Sequence, residues 1–204
     1  SRKIFSFIFI KVGPLIKSKK IVEENIFRVF GNQIDSKQIT KSMWSNYGKT
    51  FVEYLFLKKY RDDSFKEKQI EIKGLETLIK IKKNKNPVIF ISGHFANFEL
   101  MSMELTKNEV NLATIYRPLN NIFVNPFMEF LRKKFICKNQ IKKGISGIRD
   151  SMEYLKNKHS IALMIDQRLS EGKKLPFFKE GALTTTLPAQ LALKYNCDIV
   201  PVYL

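Results

Sequence analysis

A histidine and a glutamate separated by four residues are the first side chains in this sequence whose types suggest chemistry. They lie in the segment Ser92-Gly-His-Phe-Ala-Asn-Phe-Glu99. On one continuous helix they would point about 140° apart, because each residue turns the chain by ~100°. We therefore expect His94 in a loop and Glu99 in the first turns of the helix that follows. Gly93 would permit a tight turn before the helix, and Asn97 could cap it.

A histidine held by a carboxylate is a general base, since the carboxylate fixes the tautomer and stabilises the imidazolium as it forms. A lone loop histidine is more often structural, but the glycine and the spaced glutamate favour a functional role here. Neither cysteine, Cys137 or Cys197, is near in sequence, and Ser92 is too close to His94 to be an obvious nucleophile. The pair would more simply activate a hydroxyl of the substrate, which favours direct transfer to an acceptor alcohol over a covalent acyl-enzyme.

The elements that must position this pair alternate between strands and helices from residue 70 onward. Short apolar runs typical of buried strands are Pro87–Ile91, Val110–Tyr116, Ser160–Ile165 and Asp198–Leu204. Helical patterns cover residues 74–83, 97–107, 123–134, 145–158 and 184–195. This alternation predicts an α/β fold with a mostly parallel sheet flanked by helices.

Two more polar clusters follow predicted strands. Arg117 comes after the second strand, and Asp166 and Gln167 come after the third. Because ligands bind beyond the carboxyl ends of parallel strands, we expect these clusters to converge with His94. Arg117 could bind a phosphate or steady an oxyanion. Asp166 and Gln167 could position the His94 cluster by hydrogen bonds, or simply cap a turn.

Residues 1–69 predict an N-terminal helical segment, and residues 70–204 the α/β core. Helical spacing covers residues 15–60, with Gly31 as a stop and Ser36 as a new start. The stripe of Ile39, Met43, Tyr47, Phe51, Tyr54 and Leu55 predicts a core-facing side for the second helix. The apolar run Ile4–Ile10 is shorter than the ~20 residues that span a bilayer, and it fits the remnant of a membrane anchor. Since the chain begins at serine and ends in a strand-like run, we expect a fragment at both ends.

The composition is strongly basic, with 36 Lys and Arg against 19 Asp and Glu and a net charge of +17. Such a charge attracts polyanions: nucleic acid, an anionic bilayer or a phosphorylated lipid. A codon bias toward Lys, Asn and Ile explains the excess equally well. An apolar content of 44% excludes a disordered chain. With two cysteines and two histidines, a metal site is not expected, and a reducing compartment is the default.

Several blocks of the sequence, in order, resemble the bacterial lipid A biosynthesis acyltransferases, the late lauroyl and myristoyl transferases. Gly93–Glu99 resembles their GHFGNWE block, and Tyr116–Asn121 is similar to YRPLDN. Further similar positions are Asp166-Gln167 (DQ), Pro176–Phe178 with Ala182 and Thr184 (FFG-x-PA-x-T), and Ile199–Val202. The departures are Ala96 for Gly, Phe98 for Trp, Lys179 for Gly and Gly181 for Pro. The resemblance covers nearly the whole chain.

This resemblance implies a glycerolipid-acyltransferase-like fold and an acyl transfer reaction without metal or other cofactor. The donor would be an acyl carrier protein thioester, and the acceptor a phosphorylated lipid A precursor bearing the Kdo sugar. His94 would deprotonate a hydroxyl while Glu99 holds the ring, and Arg117, Asn97, Asp166 and Gln167 would bind substrate. The enzyme would work on the anionic cytoplasmic face of the bacterial inner membrane, in lipopolysaccharide biosynthesis.

Two other functions remain open from the sequence. A related transferase could acylate a glycerophospholipid, a phosphoinositol mannoside or an ornithine lipid, because such enzymes share the H-x4-E spacing. A non-catalytic basic module could bind nucleic acid or acidic membranes with steep salt dependence. We rank this last, and expect no nucleic-acid partner, because the aromatic residues have core-like spacing and are not interleaved with lysines.

Overall fold

A computed structural model of the protein describes residues 2–16, 19–167, 169, 172–178 and 180–204. Ser1, positions 17 and 18 of the helical segment, and Lys179 lie outside the described residues. The chain divides into two compact units. The first comprises Ser1–Phe56 with Pro176–Gly181, and the second comprises Leu57–Leu175 with Ala182–Leu204.

The first unit contains three helices, α1 (Arg2–Ile16), α2 (Lys19–Phe30) and α3 (Ser36–Glu53), and a 3₁₀ turn at Tyr54–Phe56. α1 packs against α3, and glycines allow the two backbones to approach closely. A Cβ on Gly48 would lie 2.5 Å from the Phe5 carbonyl oxygen, and one on Gly13 would lie 2.2 Å from the Trp44 ring. Among the described residues, no helix combines the length and the apolar character needed to cross a membrane.

The predicted stop and start between α2 and α3 are confirmed. Gly31 adopts a φ of +59°, and its N–H donates to the Phe27 carbonyl at 2.7 Å, as a glycine does after a helix end. Before α3, the Asp35 side chain accepts a hydrogen bond from the Lys37 N–H.

The predicted core-facing side of α3 was correct only in part, since Ile39, Met43 and Tyr54 are half-buried. Its buried residues are Trp44, Gly48 and Val52, whereas Tyr47 and Phe51 remain about half exposed. The reason is that Gly48 leaves room for the α1 backbone, so α1 lies closest to the Gly48 side of α3. The Phe51 ring packs against Phe5 and Phe9 of α1 from the edge of this contact and stays about half exposed.

The second unit is built on a five-stranded sheet. The strands of the protein are β1 (Ile89–Ser92), β2 (Leu112–Tyr116), β3 (Asn139–Lys142), β4 (Ser160–Met164), β5 (Lys173–Phe177), β6 (Glu180–Thr184) and β7 (Ile199–Pro201). The sheet order is β3-β2-β4-β1-β7, and every pair is parallel, while β5 and β6 form a separate two-stranded sheet. The α/β class with a parallel sheet is therefore confirmed.

Helices flank this sheet: α4 (Leu57–Arg61), α5 (Leu75–Asn84), α6 (Phe98–Lys107), α7 (Val124–Leu131), α8 (Ile145–Lys156) and α9 (Leu187–Tyr195), with a π-helical turn at Arg132–Ile136 directly after α7. The core lies between sheet and helices, and its buried side chains are Ile89, Ala113, Ile141, Leu155, Ile161, Leu163 and Leu191. β4 lies at the centre of the sheet and is parallel to its neighbours β1 and β2. The loops that follow these three strands therefore lie side by side at the carboxyl edge of the sheet.

Candidate active site

A cleft of about 450 Å³ opens at the carboxyl edge of the sheet. It is lined by His94 after β1, Arg117 after β2 and Gln167 after β4, together with Glu99 from α6. The three polar clusters that follow predicted strands thus lie together in the structure. The apolar side chains of the lining include Phe98, Ile115, Ile136, Leu163, Ile165 and Leu187.

Strand register brings His94 and Asp166 into contact. Ser92 of β1 pairs with Met164 of β4, so residues two positions beyond each strand meet. The Asp166 carboxylate uses both oxygens: Oδ1 lies 2.7 Å from the His94 ring Nδ1, and Oδ2 accepts the His94 backbone N–H at 2.7 Å. The Phe98 ring packs edge-on against the imidazole, with centroids 4.5 Å apart. Backbone and ring of His94 are therefore both fixed.

Gly93 leaves room for this carboxylate. A Cβ at residue 93 would lie 3.0 Å from Asp166 Oδ2 and 2.9 Å from the Phe95 ring. The sequence predicted a glycine for turn conformation, but the left-handed residue of this segment is Ala96, with a φ of +39°. Gly93 is thus required for space, and the strained turn falls on an alanine.

The Asp166 carboxylate is ionised at neutral pH. Partial burial pushes its pKa up, but the hydrogen bonds from the His94 backbone N–H and ring push it down further, so its pKa lies below the ordinary value. A carboxylate at Nδ1 places the proton of the neutral ring on Nδ1 and the lone pair on Nε2. The Gln167 amide nitrogen lies 3.2 Å from Nε2, as expected for a donor to that lone pair.

Glu99 lies in the first turn of α6, and its Oε1 accepts two hydrogen bonds from Arg132, from Nε at 2.8 Å and Nη2 at 2.6 Å. Both residues are buried and line the cleft. The guanidinium also lies over the Tyr116 ring, with 5.6 Å between the Arg132 Cζ and the ring centroid. The carboxylate at Nδ1 of His94 belongs to Asp166, so the expectation that Glu99 holds the ring stays a prediction.

Sequence reasoning missed Arg132, which stands among lysines and resembles a surface cation. The available signal was helical spacing: Arg132 follows Met128 by four residues, on the less exposed side of α7. The π-helical turn that begins at Arg132 could not be read from the sequence.

Asn97 occupies the N-cap position of α6, but the predicted side-chain cap was wrong. Its backbone carbonyl accepts the Leu100 N–H at 3.0 Å, and its side chain makes no capping hydrogen bond. Asn97 is buried, and the cleft is lined by other residues. A role for it in substrate binding stays a prediction.

Two cations lie at the rim of the cleft near the end of β2. Arg117 is exposed, and the Lys143 backbone N–H donates to the Tyr116 carbonyl at 2.9 Å, which places Lys143 beside it. Both line the cleft, so an anion entering there would meet two positive charges.

Hydrogen bonds to α7 side chains hold the loop that carries Arg117. Glu129 accepts hydrogen bonds from the Tyr116 hydroxyl at 2.7 Å and the Asn125 amide at 2.8 Å, and Asn125 Oδ1 accepts the Leu119 N–H. Burial, and then the bond to Glu129, raise the pKa of Tyr116, while these same donors lower the pKa of Glu129. The loop is thus held by an ionised carboxylate and a neutral phenol.

The protein thus has an α/β fold with a parallel sheet, and a histidine–carboxylate pair lies in a cleft at the carboxyl edge of that sheet. This arrangement is typical of the active site of an α/β enzyme. Within the described part of the chain, no group of three or more His, Cys, Asp or Glu side chains could hold a metal ion. The chain belongs to the bacterial lipid A biosynthesis acyltransferase family, whose family model matches residues 1–204. A comparison with curated proteins gives no match.

Family membership confirms the resemblance found in the sequence. It makes the protein an acyltransferase of lipid A biosynthesis, with an acyl donor and a lipid acceptor, and a membrane-associated one.

Proposed function

We propose that the protein transfers a fatty acyl chain from an acyl carrier protein thioester to a hydroxyl of a phosphorylated, Kdo-bearing lipid A precursor, at the cytoplasmic face of the inner membrane. The observation that carries this proposal is the His94 ring, with its Nδ1 on the ionised Asp166 carboxylate and its Nε2 available within the cleft.

In the proposed reaction, the acceptor hydroxyl replaces the Gln167 amide at Nε2 of His94. Nε2 takes the hydroxyl proton as the oxygen attacks the thioester carbonyl carbon. Collapse of the tetrahedral intermediate breaks the carbon–sulfur bond, and the imidazolium returns its proton to the departing thiolate. The products are the new ester and the free thiol of the carrier protein. Asp166 stabilises the imidazolium between the two proton transfers.

Glu99 supports this site as a positioning residue. With Arg132 it forms a buried pair in the cleft wall, five residues after the base. The pair anchors the first turn of α6 to the π-helical turn after α7, and so holds the wall against which the His94 ring packs through Phe98. The competing role for Glu99, direct orientation of the His94 ring, predicts a different response to substitution.

The substrates fit the charges and surfaces of the site. The apolar lining suits a hydrocarbon chain, and the exposed Arg117 with Lys143 at the rim suits a phosphate of the acceptor. The net charge of +17 favours approach of an acidic carrier protein and an anionic glycolipid.

The test is acyl transfer in membranes that contain the expressed protein, with acyl carrier protein as donor and a Kdo-bearing lipid A precursor as acceptor, and with products measured by mass spectrometry. Wild type should add one acyl chain, and His94→Ala should abolish the addition while the protein stays folded. An Arg117→Ala variant should weaken acceptor binding and leave turnover at saturation nearly intact.

A second candidate is His94-dependent acylation of another membrane lipid, which the shared H-x4-E spacing favours. In that case the lipid A precursor would stay unmodified while a glycerophospholipid, phosphoinositol mannoside or ornithine lipid gains an acyl chain. Activity on the lipid A precursor that survives the loss of His94 would contradict the proposed mechanism.

A further inference from the structure

Helix α7 carries an apolar surface that the rest of its unit leaves exposed. Phe123, Phe127 and Phe130 follow one another at intervals of four and three residues, so they share one side of the helix. Ile122 and Val124 extend this side, and all five residues are exposed, Phe123 by 86%. We refer to these five residues as the aromatic face. An exposed patch of this kind marks an interaction surface.

The opposite side of α7 accounts for the helix's packing against its own unit. Asn125, Met128 and Glu129 are half-buried there. Glu129 is the single acid within Val124–Leu131, and it is occupied by Tyr116, Asn125 and, at 3.7 Å, Lys142. The aromatic face therefore presents no carboxylate to a partner.

Cations border the aromatic face. The Lys134 ammonium lies 5.2 Å from the centroid of the Phe130 ring and 5.3 Å from that of Phe135, and the exposed Lys133 adjoins it. Arg117 lies at the other end of the preceding loop. Phenylalanines on one side of a helix with flanking basic residues are typical of helices that lie in the interface of an anionic bilayer, where the rings enter the acyl boundary and the ammonium groups meet the headgroups.

The aromatic face continues into the mouth of the cleft. The loop between β2 and α7 lines the cleft through Arg117, Pro118, Leu119 and Asn120, and Leu119 is also exposed to solvent. The loop that leads into the aromatic face thus also forms part of the cleft wall.

We infer that the aromatic face inserts into an anionic lipid bilayer and places the mouth of the cleft against the headgroups. Its benefit to catalysis rests on the proposed function, because an acceptor lipid could then reach His94 without leaving the membrane entirely.

The direct test is the depth of residue 127 in a membrane. The full chain with Phe127→Trp is mixed with vesicles of phosphatidylcholine and phosphatidylglycerol, with and without bromine on the acyl chains. Leu193→Trp is the control, because Leu193 on α9 is at least as exposed (86%) as Phe127 (59%) and is distant in sequence. The signal of the native Trp44 is subtracted with wild type. We expect a blue shift and strong quenching by brominated lipid for the Phe127→Trp variant, and neither for the Leu193→Trp variant.

A second measurement does not depend on the reporter. Phe123→Ser combined with Phe127→Ser should reduce sedimentation with these vesicles by roughly tenfold or more, whereas Leu193→Ser should leave it unchanged. Neither experiment involves acyl transfer, so their failure is distinguishable from failure of the proposed reaction.

Two results would overturn the inference. One is a Phe127→Trp variant whose introduced indole stays unquenched while the chain sediments with vesicles, since other parts of the protein would then hold it there. The other is a dimer, found by sedimentation equilibrium, that the double serine variant abolishes, because the face would then belong to an interface between copies.

Discussion

Replacement of Asp166 by asparagine tests which of two carboxylates, Asp166 or Glu99, orients the His94 ring. The Asp166 carboxylate accepts at both oxygens, from the ring Nδ1 and from the backbone N–H of His94. Asparagine offers one acceptor oxygen and an N–H₂ that can only donate. Either one of the two hydrogen bonds is lost, or the ring adopts the tautomer with its proton on Nε2, which cannot act as the base. The negative charge that stabilises the imidazolium is lost as well. We expect kcat to fall by about 10²–10⁴-fold, the range of a general-base contribution, which corresponds to roughly 3–5 kcal/mol of barrier.

The two substitutions should affect stability in the opposite order: Asp166→Asn should lower Tm little, and Glu99→Gln should lower it more. The Asp166 side chain is 41% exposed, so its interaction with His94 contributes less than about 1 kcal/mol, and Asp166→Asn should lower Tm by only a few degrees. Glu99→Gln is the matched control, because it removes the same charge from a buried pair. It leaves the Arg132 guanidinium buried without its counter-charge, at a cost of up to about 3–5 kcal/mol, or a fall in Tm on the order of 10 °C.

The assay is saturating kinetics with acyl carrier protein thioester and lipid A precursor, beside differential scanning fluorimetry of the same preparations. The reasoning is refuted if Asp166→Asn keeps kcat within about threefold of wild type. It is equally refuted if Glu99→Gln loses turnover while its Tm is unchanged, because Glu99 would then act directly on the reaction.

The same region gives four further expectations. The double variant Glu99→Leu with Arg132→Met should restore most of the stability that Glu99→Gln loses, because an apolar pair replaces a buried charge pair. If activity returns together with Tm, the role of the ion pair is structural; if Tm returns and activity stays lost, that structural role is contradicted. Ala96→Gly should raise the free energy of unfolding in urea by about 0.5–1 kcal/mol, because relief of left-handed strain exceeds the entropy that glycine adds to the unfolded chain; an unchanged midpoint would show that Ala96 is unstrained. Gly93→Ala should displace the Asp166 carboxylate, and kcat should fall with little change in Tm; a fully active variant would show that the loop yields easily. Because the pKa of Asp166 is lowered in the folded protein, its stabilising contribution is present above the ordinary pKa of about 3.9 and is lost as the pH falls through the folded value. The free energies of unfolding of wild type and Asp166→Asn should therefore differ above about pH 4 and converge as the pH falls below it.

The elements that could be predicted from sequence are those whose burial leaves a pattern. β1, β2, β4 and β7 were found within two or three residues because each is an apolar run. β3 was missed, since its sequence NQIK is largely polar and it lies at the sheet edge. β5 and β6 were missed for the same reason, as β5 is exposed at every position. Edge and surface strands satisfy their backbones without an apolar side-chain pattern.

The candidate site was predictable in its position but not in its pairings. The rule that ligands bind at carboxyl ends of parallel strands correctly placed His94, Arg117 and Gln167 in one cleft. Which carboxylate meets Nδ1 depended on β4 lying beside β1, and sheet order is not encoded in local patterns. The role of Arg132 could not be predicted, because it begins a π-helical turn in which Arg132 is buried while Lys133 and Lys134 stay exposed.

The register of two neighbouring strands has a consequence for how activity should be lost on heating. His94 and Asp166 extend β1 and β4, which pair at the centre of the sheet, and that pairing buries Ile89 and Ile161 completely. Because both residues lie only two positions beyond the paired strands, we expect the base and its carboxylate to stay aligned until these strands part. The central strands of a domain open with close to the free energy of global unfolding. Catalytic alignment in this protein is therefore as durable as the fold itself, and thermal inactivation should coincide with cooperative unfolding rather than precede it.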